Sequence, residues 1–316
     1  MKIAFVGKGG SGKTTISALF SLYMDSKNKN VGLFDVDVNS HTAEVLGIAS
    51  DSHKNLSEDD PSADIRRYLA GTNPRVSPDD FLNSTPPGNG SGVFTLGKDN
   101  YVTKTYGQKF GLLSHLFTIG SYKDTSIGID CHHSTQYIAE NLLSHAEQSH
   151  DDVIVIDSVA GNDTFGNTLY MQDLLVFIVK PEREGLNVFR RFYDLAEKAG
   201  VADRVYVIGN QVGSDVQRAF LEKEIPSDKL LGILTTNDQI IDRRLADLPL
   251  DVDCMQMNER EVFDKVHEIA GLHVQTAEHY YNEMVALHRK LSTEGWVIGS
   301  YHDHMESQID PEFSAV

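Results

Sequence analysis

The sequence predicts an α/β fold, a doubly wound and mostly parallel sheet with helices on both faces, and three observations carry that reading. Short apolar runs rich in β-branched and aromatic residues alternate with longer segments of helical periodicity. The runs are almost continuously apolar, as strands covered on both faces require, instead of alternating apolar with polar. The first run leads directly into a glycine-rich loop and then a helical pattern, the strand–loop–helix order of a phosphate-binding unit.

In chain order the predicted strands fall at 3–6, 31–34, 153–156, 174–179, 205–208 and 230–234, with the clearest helical patterns at 13–25, 135–145 and 186–198. Right-handed crossovers between such strands give the doubly wound arrangement. Residues 50–110 break the rhythm. Pro61, Pro74, Pro78, Pro86, Pro87 and the run Gly88-Asn89-Gly90-Ser91-Gly92 predict an irregular insertion with a short helix at 65–69, read as a lid or a partner surface. Beyond residue 274 a helical stretch over 276–291 carries an apolar stripe of Tyr280, Tyr281, Met284, Leu287 and Leu291, suited to core or dimer contact. A tail rich in His, Asp and Glu follows. The chain therefore divides into a nucleotide domain over 1–274 and a C-terminal helix with an acidic tail over 275–316.

Composition narrows the function classes. The 316 residues are 40% hydrophobic, enough for one large core or two modest ones. A formal net charge of −18 repels phosphate backbones and anionic lipid, which argues against nucleic acid and membrane partners. Two cysteines, Cys131 and Cys254, are too few for a disulfide framework and fit a reducing, cytoplasmic setting. The N-terminus runs straight into the glycine-rich loop without a signal-peptide pattern, and no apolar run approaches the roughly 20 residues of a membrane span.

The loop Gly7-Lys8-Gly9-Gly10-Ser11-Gly12-Lys13-Thr14 matches GxxxxGK[ST] in the right context. Glycines let the successive amides of Gly9, Gly10, Ser11 and Gly12 turn inward, and the following helix N-terminus adds partial positive charge where phosphates sit. Lys13 is the candidate for neutralising the β- and γ-phosphates of ATP. The Thr14 hydroxyl is the candidate Mg²⁺ ligand, and Thr15 the α-phosphate contact. Further along, an apolar strand ends in Asp157, the arrangement in which a carboxylate holds Mg²⁺, commonly through water. Asp35 and Asp37 close the second predicted strand, at the edge where the phosphates would lie.

Lys8 adds a second, early lysine, and the resulting pattern KGGxGKT resembles the deviant Walker A signature of the MinD, ParA, nitrogenase iron protein and CooC families. The resemblance implies a homodimer that sandwiches two ATP molecules, with Lys8 reaching in trans to the partner's phosphates. Asp35-Val36-Asp37 resembles the switch I of these families, which implies that Asp37 positions the attacking water and Asp35 supports the Mg²⁺ shell. Asp157-Ser158-Val159-Ala160-Gly161 resembles switch II, with the Gly161 amide sensing the γ-phosphate. Asn210 stands where the resembling families recognise adenine. Gln211 and Gly213 do not supply the NKxD pattern of guanine specificity, so ATP is favoured.

Within this class the chain is most similar to the CooC type, the ATPases associated with nickel insertion, through the stretches 35–47, 128–143 and 157–165. One departure stands out. Those proteins carry Cys-x-Cys where this chain reads Ile129-Asp130-Cys131, so a four-thiolate site shared by two subunits cannot form. Cys131 with His132 or His133 leaves a mixed thiolate and imidazole site for zinc or nickel as one reading, and a buried thiol beside two ordinary histidines as the other. His302 and His304 read as solvated surface.

The expected function is a Mg²⁺-dependent, ATP-hydrolysing dimeric switch acting on a protein client, with metallocentre maturation as one role. The alternatives are a nucleotide-dependent regulator with little hydrolysis and a positioning ATPase of the MinD or ParA sort. The acidic, Pro311-interrupted tail lacks a basic membrane-docking face. The pairs Arg66-Arg67, Arg190-Arg191 and Arg243-Arg244 are too scattered to make a DNA surface.

Overall fold

The computed structural model describes residues 1–37, 41–49, 54–120 and 132–315, without the side chains of 132–134, 302 and 303. Eight strands form one sheet: β1 (Lys2–Gly7), β2 (Asn30–Asp35), β3 (Gln108–Lys109), β4 (His115–Thr118), β5 (Asp152–Ala160), β6 (Leu174–Val179), β7 (Val205–Val212) and β8 (Leu230–Thr235). Their spatial order is β3-β4-β2-β5-β1-β6-β7-β8, parallel throughout except for the antiparallel edge pair β3–β4. The predicted mostly parallel, doubly wound sheet is what the chain forms.

The alternation of side chains along each strand explains why both faces are covered. In β1, Ile3 and Phe5 enter one core while Ala4 and Val6 enter the other. The Phe5 face is closed by α1 (Lys13–Ser26), the short α2 (Thr42–Val45) and α9 (Met257–Leu272). There Phe20 of α1 lies 5.4 Å from Phe5 and meets Phe263 of α9 edge-on at 5.5 Å. The opposite face is closed by α3 (Asp59–Ala70), α4 (Tyr101–Tyr106), α5 (His132–Ser144), α6 (Arg183–Ala199) and, through Leu221, α7 (Asp215–Glu224). Helix α8 (Asp238–Leu245) buries no residue of its own. Among the described residues no helix is long and apolar enough to cross a membrane.

The described part of the stretch read as an insertion is built into the wall of the fold. Leu56, Ile65, Leu69, Phe81, Phe94 and Val102 all belong to the core on the α5–α6 face. Phe94 meets Phe34 at 5.8 Å and Phe117 at 5.4 Å, both edge-on, while Phe34 and Phe117 stack at 4.8 Å. The glycine run has a steric reason: Gly92 lies against α3, and a Cβ there would strike the Tyr68 carbonyl.

The C-terminal helices α10 (Ala277–Ser292) and α11 (Gly295–Tyr301) return to this same wall. Tyr280 and Met284 bury against Met171, the core side of the predicted stripe. His288 bridges the Ser84 hydroxyl at 3.0 Å and the Met305 carbonyl at 2.8 Å. The Thr85 hydroxyl donates to Gln308 at 2.9 Å, and the Asn89 amide to Asp310 at 2.9 Å. Because Phe94 is the keystone of an aromatic triad, Phe94→Ala should cost about 3–5 kcal/mol in urea unfolding with an unchanged m-value. A cost below about 1 kcal/mol would mean that residues 54–106 are not part of the cooperative core.

Candidate nucleotide site

The loop between β1 and α1 turns on two glycines with left-handed backbone, Gly10 at φ 77° and Gly12 at φ 93°. Gly12 caps α1, where a Cβ would run into the Asn210 amide. The first turn of α1 holds no acidic side chain and its cap makes no side-chain hydrogen bond. Its leading amides and the positive end of its dipole are thus suited to an external anion. Lys8, Gly9 and Gly10 are exposed, and a cleft of about 170 Å³ opens beside them against Ile178, Lys180 and Glu182. Thr14 and Thr15, both half-buried, occupy the first turn of α1.

Strand register then delivers the acids. Asp35 lies opposite Asp157 in the β2–β5 ladder, beside the strand that feeds the loop. Lys13 Nζ sits between Asp157 Oδ1 at 2.9 Å and Asp37 Oδ2 at 3.1 Å. Burial opposes the charge on Lys13, but Asp157 and then Asp37 outweigh it and hold the ammonium above the usual lysine range. The Thr42 amide donates to Asp35 Oδ2 at 3.2 Å, and the Thr42 hydroxyl reaches Asp157 Oδ2 at 3.5 Å. Burial and the neighbouring Asp157 push the Asp35 carboxyl well above the carboxylate range. The two buried acids therefore differ: Asp157 is matched by Lys13, whereas Asp35 favours its proton.

The chain after Asp157 is fastened to α5. Gly161, at φ 55°, opens a 3₁₀ turn that runs to Gly166, with the Thr164 hydroxyl donating to the Gly161 carbonyl at 3.0 Å. Asn167 Nδ2 donates to Gln136 Oε1 at 2.9 Å, and the Thr168 amide donates to Glu140 Oε2 at 2.6 Å. Asn83 donates to the same oxygen at 3.0 Å. Thr42, Gln136 and Glu140 were not singled out from the sequence. The available signal was the i, i+4 pair of polar residues on the buried face of the helix predicted at 135–145.

Asn210 approaches the loop from β7. Its Nδ2 donates to the Ser11 carbonyl at 2.8 Å and its Oδ1 accepts from the Gln211 amide at 2.9 Å. Both ends of the amide are thus engaged in bracing the loop. The structure brings Lys13, Asp35, Asp37 and Asp157 together, sets Thr14 next to Lys13, and places Gly161 four residues beyond Asp157. Cys131 lies outside the described residues, as do the side chains of His132 and His133.

The donors fit Mg²⁺ by chemistry: a hydroxyl and carboxylates are hard oxygen ligands. Among the described residues no group of three or more His, Cys, Asp and Glu could hold a metal ion.

The CobQ/CobB/MinD/ParA nucleotide binding domain matches residues 3–250 of the chain. Among curated relatives, an uncharacterized ATP-binding protein of Methanocaldococcus jannaschii is 26% identical over 269 residues, covering 83% of this chain and 95% of its own. The carbon monoxide dehydrogenase accessory protein CooC of Rhodospirillum rubrum is 24% identical over 241 residues, covering 76% and 85%. The fold is shared with a ParA family ATPase from Chlorobium tepidum TLS (TM-score 0.57, 17% identity, 84% and 98% covered). It is also shared with the septum site-determining protein MinD complexed with Mg-ADP from Pyrococcus horikoshii OT3 (TM-score 0.55, 19% identity, 87% and 100% covered).

Two outcomes are expected. Gly12→Ala forces a side chain into left-handed backbone and against Asn210, and should weaken ATP binding in calorimetry by about tenfold or more. Burial raises the Glu140 carboxyl from 4.5 to about 7, outweighing the bonds from Thr168 and Asn83 that lower it. A folded pKa above the unfolded one gives stabilisation that is complete below about 4.5 and lost as pH rises through about 7. Wild type should therefore lose stability relative to Glu140→Gln between those values, read as the difference in urea midpoints.

Proposed function

The chain belongs to the CobQ/CobB/MinD/ParA nucleotide-binding family, and we propose that it is an ATP-hydrolysing switch, dimeric when ATP is bound, that docks with and releases a protein client. One observation carries the reading: a buried lysine at the start of α1 held between the acids that end β5 and follow β2. That lysine is placed to exchange its carboxylate partners for the β- and γ-phosphates, coupling phosphate arrival to the freeing of Asp37 and Asp157.

In the proposed reaction a water attacks the γ-phosphorus in line, the bond to the ADP oxygen breaks, and ADP and phosphate leave. Asp37 orients the water. Gly9, Gly10, Ser11 and Gly12 donate amides to the phosphates, Thr15 contacts the α-phosphate, and Gly161 senses the γ-phosphate. Asn210 lies against the adenine while bracing the loop. Bound Mg²⁺ would spread the phosphate charge, with Thr14, Asp157 and Asp35 as the residues to hold it.

Lys8 acts in trans in this proposal. Its support is that Lys8 is exposed at the loop and that, among the described residues, no ion pair engages it. A cation delivered only on dimerisation would stabilise transition-state charge as an arginine finger does. Residues 1–274 carry the nucleotide, 275–316 brace it, and a cytoplasmic setting completes the proposal. The likeness to CooC favours a client whose metallocentre is being matured. A regulator with little hydrolysis is the second reading, favoured by the ion pair that holds Asp37 on Lys13.

Light scattering of wild type, Lys8→Ala and Asp37→Ala, each with Mg²⁺ and either ADP or ATP, tests the switch. We expect an ATP-dependent dimer that persists longer in Asp37→Ala and is lost in Lys8→Ala. A mass that ignores the nucleotide in all three would overturn the trans-lysine mechanism. Phosphate release on the same samples separates the two readings: wild-type turnover at least about tenfold above Asp37→Ala supports hydrolysis, and equal rates support the regulator.

A further inference from the structure

A cavity of about 820 Å³ lies at the edge of the sheet opposite the phosphate loop. It opens between the amino-terminal ends of β1, β5 and β6 on one side and α10 on the other. Its volume is in the range of small-molecule sites.

Its wall contains a cation with incomplete partners. Lys2 is 7% exposed, and its ammonium donates to the Leu143 carbonyl at 3.0 Å and lies 3.8 Å from the centre of the Tyr280 ring. An ammonium has three N–H donors, and among the described residues this is the one hydrogen bond it makes. Asp173 supplies countercharge, yet its carboxylate is occupied by the backbone amides of Lys2 at 2.7 Å and Gln275 at 3.0 Å, and no ion pair joins it to the ammonium. Burial therefore dominates and pushes the Lys2 amine down to about 8, with Asp173 pulling partly back. Holding a lysine in such a wall is costly unless an anion meets it there.

One side of the cavity suits a flat apolar body, while Glu147, Gln148, His150 and Glu268 line the side away from it. Tyr281 and Phe313 lie 5.1 Å apart with their ring planes tilted by 53°, and Met284 and Val274 also line the cavity. Aromatic and aliphatic walls converging on a few polar groups are the usual make-up of a ligand pocket. We propose that this cavity is a second binding site, distinct from the nucleotide site, for a small molecule with a planar apolar body and one anionic head, the head pairing with Lys2 and the body lying against Tyr281 and Phe313.

The probe is anilinonaphthalene sulfonate, which combines those two features, titrated by fluorescence into the full chain with Mg²⁺ and saturating ADP. The expected result is saturable binding of one probe per chain that ADP leaves unchanged. Affinity should fall about tenfold or more in Lys2→Met and also fall in Tyr281→Ala. Should Lys2→Met fail to fold, N-phenylnaphthylamine, the same body without the sulfonate, must bind wild type at least about tenfold more weakly. No saturable binding, displacement by ADP, or equal affinity of the charged and uncharged probes overturns the proposal.

Discussion

A lysine side chain that is 6% exposed is costly to hold without countercharge, and the nucleotide end of this molecule is organised around satisfying Lys13. Its stem leaves the first residue of α1, so its position is fixed by the loop that follows β1. Its partners come from elsewhere in the chain: Asp157 from β5 and Asp37 from the segment after β2. The strand order β2-β5-β1 is what makes the three meet. Moving β5 away from β1 would take Asp157 away from the buried charge, so this part of the strand order and the site answer to the same constraint.

That constraint spreads outward through second partners. Asp157 touches Thr42, Thr42 touches Asp35, and the chain beyond Asp157 is tied by Asn167 and Thr168 to α5. Asn210 fixes the loop from the far side by holding the Ser11 carbonyl. The charged centre thus connects to both covered faces of the sheet, to α5 along the backbone that runs from Asp157 to Asn167 and Thr168.

Much of this was legible in the sequence because local rules govern it. Six strands were identified from continuous apolar runs, and the loop from glycine spacing between a strand and a helix. The strands β3 and β4 escaped: one is two residues long, the other four, and His115 interrupts the apolar pattern. The stretch 54–106 read as irregular because proline and glycine dominate its local signal, whereas its membership of the core rests on isolated residues such as Phe81 and Phe94 placed by contacts distant in sequence. The amphipathic helices α7 and α9 went unremarked for a related reason: Leu221 is the sole buried side chain of α7, and α9 starts beyond a run of loop residues. In the site, residue types at strand ends were readable, but Thr42, Gln136 and Glu140 act only through the register that brings separate segments together.

The C-terminal return also bears on how the chain is made. Ser84 with His288, Thr85 with Gln308 and Asn89 with Asp310 join positions 204, 223 and 221 residues apart. On a ribosome the segment carrying Leu82 emerges long before its cover, Val297 and Met305, and that cover exists only once residues near 305 have been translated. Apolar surface on this wall therefore stays open through most of synthesis, the circumstance in which chaperone capture or premature association competes with folding.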